Sequence, residues 1–473
     1  MGEPNEALAA LIAEADARVR CSYAGLARRV NDLGSERSLT LRYDYTSVHR
    51  WVKRGETPRD PVPTLLAQAL SDKLGRRVRP SEFGMPEEAP LAALGPTGSP
   101  SRRVASGSDE MGSSAPWNHR GTVDVSVAMS GSGALVKRRN FGFLFGSALT
   151  APAHQWLVQE PGRLAAALGG DRVTPELAGR LPPMIAELRR MDDVSGGDLV
   201  LDLAEREFGW IAGLLDRATY NEPTARKLHL ALAELGQFTG FVAYDAGLHA
   251  LAQRYWIAGL RAAHTADDPA LGAYILWSMA HQATDLDRPA DAATLIETAL
   301  LGTRSRQTPA LLAGLRSDQA YAQAILQDGS SCADAAAKAG ALAVQISPVD
   351  EPPWLYWVNH VDVNARIGRA WLRLGQADQA VHPLADSVRQ LDSSMVRDRQ
   401  LFLADWAEAL TQPGQQQDLE EAASRGLEAL VLAESLCSTR ATERVRDLCT
   451  QMKPHATVPT VREFLERARP LVT

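Results

Sequence analysis

The chain has 473 residues, of which 45% are hydrophobic and 23% charged. This composition is typical of folded globular proteins and excludes a chain that is disordered throughout. The net charge of -7 excludes a protein that coats nucleic acid with its whole surface, because that role needs a dense cationic surface. The four cysteines lie far apart without a CxxC motif, so the sequence predicts no disulfide framework and no metal site.

The charge is unevenly distributed along the chain. Residues 1–86 carry 14 basic and 11 acidic side chains, and residues 18–54 carry nine basic against three acidic ones. A local cationic patch on an acidic chain is typical of one nucleic-acid-binding module joined to something else. A charged helix face that is merely solvated is the alternative.

Hydrophobic periodicity predicts a small helical domain at the N-terminal end. Helices are expected over about 5–17, 22–31, 44–54 and 63–74, and the segment 78–83 closes the unit. Asp44 is a candidate N-cap of the third helix, whose apolar stripe is Val48, Trp51 and Val52. Its opposite face is polar and cationic, as in the second helix of a helix-turn-helix.

The run from Leu41 to Gly55, followed by Pro58 and by residues 62–70, resembles the Cro/repressor-like helix-turn-helix of actinobacterial regulators. The resemblance covers roughly residues 5–85 and implies binding to double-stranded DNA. Arginines around the helix would hold phosphates, while side chains on its leading turns would reach base edges in the major groove. For Tyr45 a partly buried role, and for His49 a merely solvated one, are the alternatives. The predicted DNA-binding residues are Arg28, Arg29, Arg42, Tyr45, Thr46, Ser47, His49, Arg50, Lys53 and Arg54.

Residues 87–136 are rich in Gly, Ser and Pro, which predicts a flexible linker with one ordered piece, a short strand over 123–129. Beyond it, Lys137, Arg138 and Arg139 precede an apolar run over 141–149 that is similar to a twin-arginine export signal. That run follows a foldable domain and is too short to cross a bilayer. We therefore expect it to be the opening helix of a second domain in a cytoplasmic, nucleoid-associated protein with no membrane partner.

Residues 137–473 are predicted to be an all-α array of helix pairs. A small residue recurs at Gly240, Ala280, Ala322 and Gly368, with spacings of 40 to 46 residues. A second landmark, a small residue followed by an apolar one, keeps the same period from residue 259 to residue 430. The segment 368–380 resembles a tetratricopeptide repeat, which implies that the pairs stack into an α-solenoid.

The first helix of each pair is expected to line a concave groove. Residues one turn from each small landmark should therefore face a peptide, a small molecule or a protein partner. Packing in the core between repeats is the alternative role for four aromatic residues, Trp277, Trp354, Trp357 and Trp371. The predicted groove residues are Gln237, Tyr244, Asp245, Tyr274, Trp277, His281, Arg316, Gln319, Gln323, Asp362, Arg369 and Arg373.

A helix-turn-helix, a linker and a tetratricopeptide-like array together resemble Streptomyces regulators of sporulation and antibiotic production, and more distantly the peptide-sensing quorum regulators of Firmicutes. The resemblance implies a transcriptional regulator that senses an effector and can form a homodimer. The alternative is an interaction scaffold without operator specificity. No catalytic motif and no cofactor-binding loop is present, so an enzyme is not expected, although a helical enzyme is the third class considered.

Overall fold

In the computed structural model, two compact units divide the chain, residues 1–103 and residues 104–473. The structure describes residues 5–19, 22–36, 43–53, 58, 62–74, 78, 80–83, 115–130, 143–160, 172–194, 198–303, 306–436 and 438–472. Within these ranges all regular elements are helical, as predicted, and the β-type pairing is a single bridge between Arg172 and Thr219. None of the described helices is long and apolar enough to span a membrane.

The described residues of the first unit form four helices and a short turn. They are α1 Glu6–Val19, α2 Tyr23–Glu36, α3 Tyr45–Lys53, α4 Val62–Leu74 and a 3-10 turn Pro80–Phe83. The helix predicted to end near residue 31 thus continues for five more residues. Leu26, Val48, Leu65 and Phe83 are fully buried at the centre of this unit. Burying these apolar side chains is what holds such short helices together, since isolated helices of this length are marginal in water.

The described part of the second unit starts with five helices that precede the repeat landmarks. They are α5 His119–Ser130, α6 Ser147–Val158, α7 Pro175–Ala178, α8 Leu181–Val194 and α9 Asp198–Arg217. The apolar run over 141–149 was expected to open the domain as a helix. Residues 141 and 142 lie outside the described residues, residues 143–145 are not helical, and α6 begins at Ser147.

The linker prediction is wrong for part of its length. Residues 115–130 belong to the second unit, and the predicted strand at 123–129 is helical. Val123 is 1% exposed, and the Thr122 hydroxyl lies 2.9 Å from that of Thr265 on another helix. The guanidinium of Arg261 donates to the carbonyl of Pro116 at 2.9 Å. Tertiary burial decides this helix, whose β-branched residues favour a strand locally. Residues 87–114 and 131–136 lie outside the described residues.

Six helix pairs follow, and consecutive helices pack side by side as in a solenoid. They are α10 Glu222–Asp245 with α11 His249–Thr265, α12 Pro269–Asp285 with α13 Pro289–Gly302, α14 Pro309–Ile325 with α15 Gly329–Ala343, α16 His360–Arg373 with α17 Ala377–Gln390, α18 Val396–Thr411 with α19 Leu419–Ser435, and α20 Thr439–Met452 with α21 Pro459–Val472.

Short turns of one type connect many of these helices. A residue with positive φ follows the helix end at Gly247, Asp267, Asp287, Gln327 and Gly375. The next backbone N–H then reaches a carbonyl five residues back, at 2.8 to 3.0 Å. These are the bonds of a Schellman cap, which satisfies carbonyls at the end of a helix and reverses the chain. The turn therefore returns the second helix of each of the first four pairs against the first, and at Asp267 it joins the first pair to the second.

Candidate functional site

The helix α3 has one buried face and one exposed face. Val48, Trp51 and Val52 are at most 4% exposed, whereas Thr46, Arg50 and Lys53 are exposed, as predicted. The carboxylate of Asp44 accepts the backbone N–H of Ser47 at 2.9 Å, which confirms Asp44 as the cap.

One residue of α3 that was predicted to bind DNA does not lie on the exposed face. Ser47 was assigned to the outer face, but it is only 7% exposed and its hydroxyl donates to Asp44 at 2.9 Å. The reason is that residue 47 lies in the first turn, where its side chain completes the cap box instead of turning outward. Ser47 is therefore part of the helix start.

Tyr45 and His49 form an aromatic platform beside the exposed face. Their rings stack with centroids 5.8 Å apart, and the ring of Tyr23 lies 5.6 Å from that of Tyr45. Tyr45 nevertheless remains 55% exposed, while His49 is half-buried. Tyr45 therefore packs against two rings and is still mostly exposed, and base reading by Tyr45 and His49 stays a prediction.

The chain entering α3 is held by Asn31 of α2. The Asn31 side chain accepts the backbone N–H of Tyr43 at 2.9 Å and donates to the Tyr43 carbonyl at 2.8 Å. On the same helix, Arg28 is exposed and Arg29 is half-buried. The other predicted phosphate-binding residues, Arg42 and Arg54, lie outside the described residues.

In the second unit, a cavity of about 510 Å³ lies against the first helices of the pairs and α8. This volume suits a small ligand, since ligand pockets commonly fall between about 300 and 1,000 Å³. Eight of the predicted groove residues line it, namely Gln237, Tyr244, Tyr274, Trp277, His281, Asp362, Arg369 and Arg373.

The remaining predicted groove residues lie elsewhere. Asp245 is 2% exposed and its carboxylate lies 3.5 Å from the guanidiniums of Arg397 and Arg440. Arg316, Gln319 and Gln323 do not line the cavity, and Arg316 donates to Gln319 at 2.7 Å instead. Asp318, Tyr321 and Ile325 of the same helix, α14, line the cavity in their place. The residues predicted from the landmark at Ala322 are shifted by one position along the helix. A shift of one residue changes the direction of a side chain by about 100° around the helix axis.

Contacts between the first helices repeat with the sequence period. Gln237 donates to the hydroxyl of Ser278 at 3.1 Å, and the Trp277 indole N–H donates to Asp318 at 2.8 Å. The Tyr244 hydroxyl donates in the same way to Asp285. In all three pairs the partners are 41 residues apart, so equivalent positions of successive first helices contact each other.

Arginine and aromatic side chains form one wall of the cavity. The guanidinium of Arg366 lies 5.3 Å from the ring centroids of both Trp277 and Trp357. Tyr274 stacks on Trp354 with centroids 4.9 Å apart and an angle of 14° between the rings. These tryptophans therefore pack against neighbouring residues and line the cavity at once. Cation–π contacts of this kind are strongest where water is excluded.

Ion pairs hold the arginines in place. Arg369 lies 3.2 Å from Asp285, and Arg366 lies 2.8 Å from Asp318. Burial alone would raise the pKa of both aspartates, but the nearby arginines and His281 hold each pKa well below its usual range. Both carboxylates are therefore charged, and the wall carries fixed charges of both signs.

Sequence reasoning missed Arg366, Tyr321, Arg397 and the acidic end of α8, all of which line the cavity. For the residues of α14, a signal was available in the sequence: Asp318 lies one period of 41 residues after Trp277. No such signal existed for α8, because this helix precedes the first repeat landmark and reaches the cavity only through the tertiary fold.

A family model described as the SP15 N-terminal domain matches residues 8–86, which include most of α1 and all of α2 to α4. The similarity thus lies within the first unit and leaves the helical array outside it. No curated protein matches the sequence.

Proposed function

We propose that this chain is a DNA-binding transcriptional regulator, similar in plan to the actinobacterial regulators, whose helical array binds an effector. The observation that carries the proposal is the two-faced helix α3. Its apolar stripe is sealed in the core, while Thr46, Arg50 and Lys53 remain exposed beside the Tyr45 platform. A short helix with this division is what the major groove accepts.

Arg50 is the proposed base-reading side chain, because a guanidinium binds the two acceptors of a guanine edge. Lys53 lies one turn further along and would contact the phosphate backbone. Replacing a base-reading arginine costs about 1–3 kcal/mol in discrimination, whereas losing a phosphate contact weakens binding to all sequences alike. The two variants therefore have distinct expected signatures.

The test is selection of bound genomic fragments by the full-length chain, followed by gel-shift titrations at several salt concentrations. Arg50→Ala should reduce the affinity ratio between selected and unrelated duplexes by about 5- to 150-fold. Lys53→Ala should lower both affinities and flatten their salt dependence. Lys73→Ala on α4, outside the proposed interface, is the matched control. Weak, sequence-indifferent retention by the parent chain would instead support the interaction scaffold.

The effector role rests on the cavity of about 510 Å³ in the array. An effector acts only if it binds the DNA-competent and incompetent states unequally. The proposal therefore includes no catalytic step, and its effector is a peptide, a small molecule or a protein segment. A ligand that occupies the cavity should change the operator affinity measured in the gel-shift titration, and Arg369→Ala in the cavity wall should abolish that change while operator binding without ligand persists.

A further inference from the structure

A second, smaller cavity of about 230 Å³ adjoins the main one. The two cavities share the wall formed by Trp357, Asp362, Met395, Asp398 and Phe402. This shared wall, which comes from α16, α18 and the chain before each of them, combines two carboxylates with two aromatic rings and a thioether. Aromatic faces and carboxylates together are the groups that attract an organic cation.

The arginines near the shared wall already serve two carboxylates each. Arg366 lies 3.1 Å from Asp362 and 2.8 Å from Asp318. Arg397 lies 2.9 Å from Asp192 and 3.5 Å from Asp245.

Asp398 of the shared wall and one further carboxylate, Asp193, add to this negative charge. Asp193 and Asp398 both line the main cavity, and the hydroxyl of Tyr356 donates to Asp193 at 2.6 Å. Arg189 and Arg440 also line the cavity and lie beside Glu234 and Asp245, so carboxylates still outnumber guanidiniums around this part of it.

The pKa values of three of these carboxylates are raised, mainly by burial. Burial raises the pKa of Asp362 to about 6, and repulsion from Asp398 adds to the shift although Arg366 opposes it. Burial likewise raises the pKa of Asp192 and of Asp193. Each of these carboxylates would be stabilised in its charged form by one more cation.

A second observation concerns Asp192 on α8, which lies outside the shared wall and pairs with Arg397 through its Oδ2 atom. It is only 4% exposed and lines the main cavity, yet its Oδ1 atom has no hydrogen-bond partner among the residues that the structure describes. An unsatisfied buried carboxylate oxygen is costly, so a donor that enters the cavity would recover free energy.

We infer that the shared wall of the two cavities binds the ammonium group of a small organic cation with an apolar body. Asp362 and Asp398 would provide the counter-charges, and the rings of Phe402 and of Trp357, which Arg366 already contacts on one side, would lie beside the cation. The remaining volume of the main cavity, lined by Tyr274 and Trp277, would hold the apolar body. This inference rests on the proposed function only in treating the ligand as an effector, since the binding itself does not depend on DNA.

The test uses three probes that share a phenyl ring and differ in charge: phenylethylamine, its N-acetyl derivative and phenylpropionate. Isothermal titration with the full-length chain should show phenylethylamine binding at least about tenfold more tightly than the acetylated probe, with phenylpropionate weaker still. Spermidine tests in parallel whether an ammonium without a ring suffices, and weaker binding than phenylethylamine is expected.

Variants locate the site. Asp398→Asn keeps the shape of the side chain and should weaken phenylethylamine about tenfold, with no effect on the acetylated probe. Trp357→Leu should weaken phenylethylamine as well, through loss of the ring face. Asp334→Asn, an exposed carboxylate on α15 outside both cavities, is the matched control and should leave all affinities unchanged. Circular dichroism checks that each variant is folded.

Equal binding of the charged and acetylated probes, preference for phenylpropionate, or no binding of phenylethylamine to the parent chain overturns the ammonium inference. Preference for phenylpropionate would leave an effector site of opposite charge, so the regulator proposal would survive. Conversely, failure of the gel-shift test with retained phenylethylamine binding would remove DNA regulation and keep the ammonium site.

Discussion

The close approach of α10 and α11 makes Gly236 a sensitive position in the array. A methyl group at Gly236 would lie 2.7 Å from the Cα of Gly259 and 3.0 Å from the carbonyl oxygen of Tyr255. Ordinary contacts begin at 3.4 Å, so the two helices would have to separate by about 0.7 Å. Both obstructing atoms belong to the backbone and cannot rotate away.

The expected magnitude for Gly236→Ala combines two opposing effects. Overpacking a core costs about 1–3 kcal/mol, and a backbone clash falls at the upper end of that range. Replacing glycine by alanine inside a helix returns about 1 kcal/mol through propensity. The free energy of unfolding should therefore fall by about 2 kcal/mol.

Urea unfolding of the full-length chain, followed by circular dichroism, measures this loss in the transition of the array. Gly340→Ala on α15 is the matched control, because its methyl group would meet only the Cδ1 of Ile367 at 4.0 Å. That variant should gain up to about 1 kcal/mol. If Gly236→Ala proves as stable as Gly340→Ala, the reasoning from helix contact is refuted.

Three further predictions concern buried polar groups and use the same urea titration. Asn31→Ala should destabilise the first unit by about 1–3 kcal/mol, because both backbone groups of Tyr43 lose their hydrogen-bond partner. A smaller loss of unfolding free energy than that caused by replacing an exposed asparagine with alanine would contradict this. Arg366→Met should cost about 3–5 kcal/mol, because buried Asp362 loses its ion-pair partner and Asp318 keeps only Trp277 and His281, and a neutral effect would show that water reaches these carboxylates. Burial lowers the pKa of His229 to about 3. The free energy of unfolding should therefore fall by up to about 1.4 kcal/mol per pH unit as the pH falls from about 6.5 towards 3, and His229→Gln should reduce that slope.

Local sequence signals determined the helices of the first unit and the pairs of the array. Asp44 caps α3 because its carboxylate lies three residues before a free backbone N–H, a relation fixed along the chain. The turn at Gly375 likewise follows from a residue type that tolerates positive φ. Hydrophobic periodicity and helix caps depend on residues that are close together in the sequence, so the sequence alone predicted these elements.

Only the tertiary structure decided which side chains meet in the cavity. Arg397 of α18 contacts Asp192 of α8, 205 residues earlier, and Arg366 joins helices separated by 48 residues of sequence. Likewise, α5 is helical because Val123 is buried against other helices, although its local sequence favours a strand. The physical reason is that burial and charge pairing depend on neighbours in space, and small rotations of each stacked helix decide which residues become those neighbours.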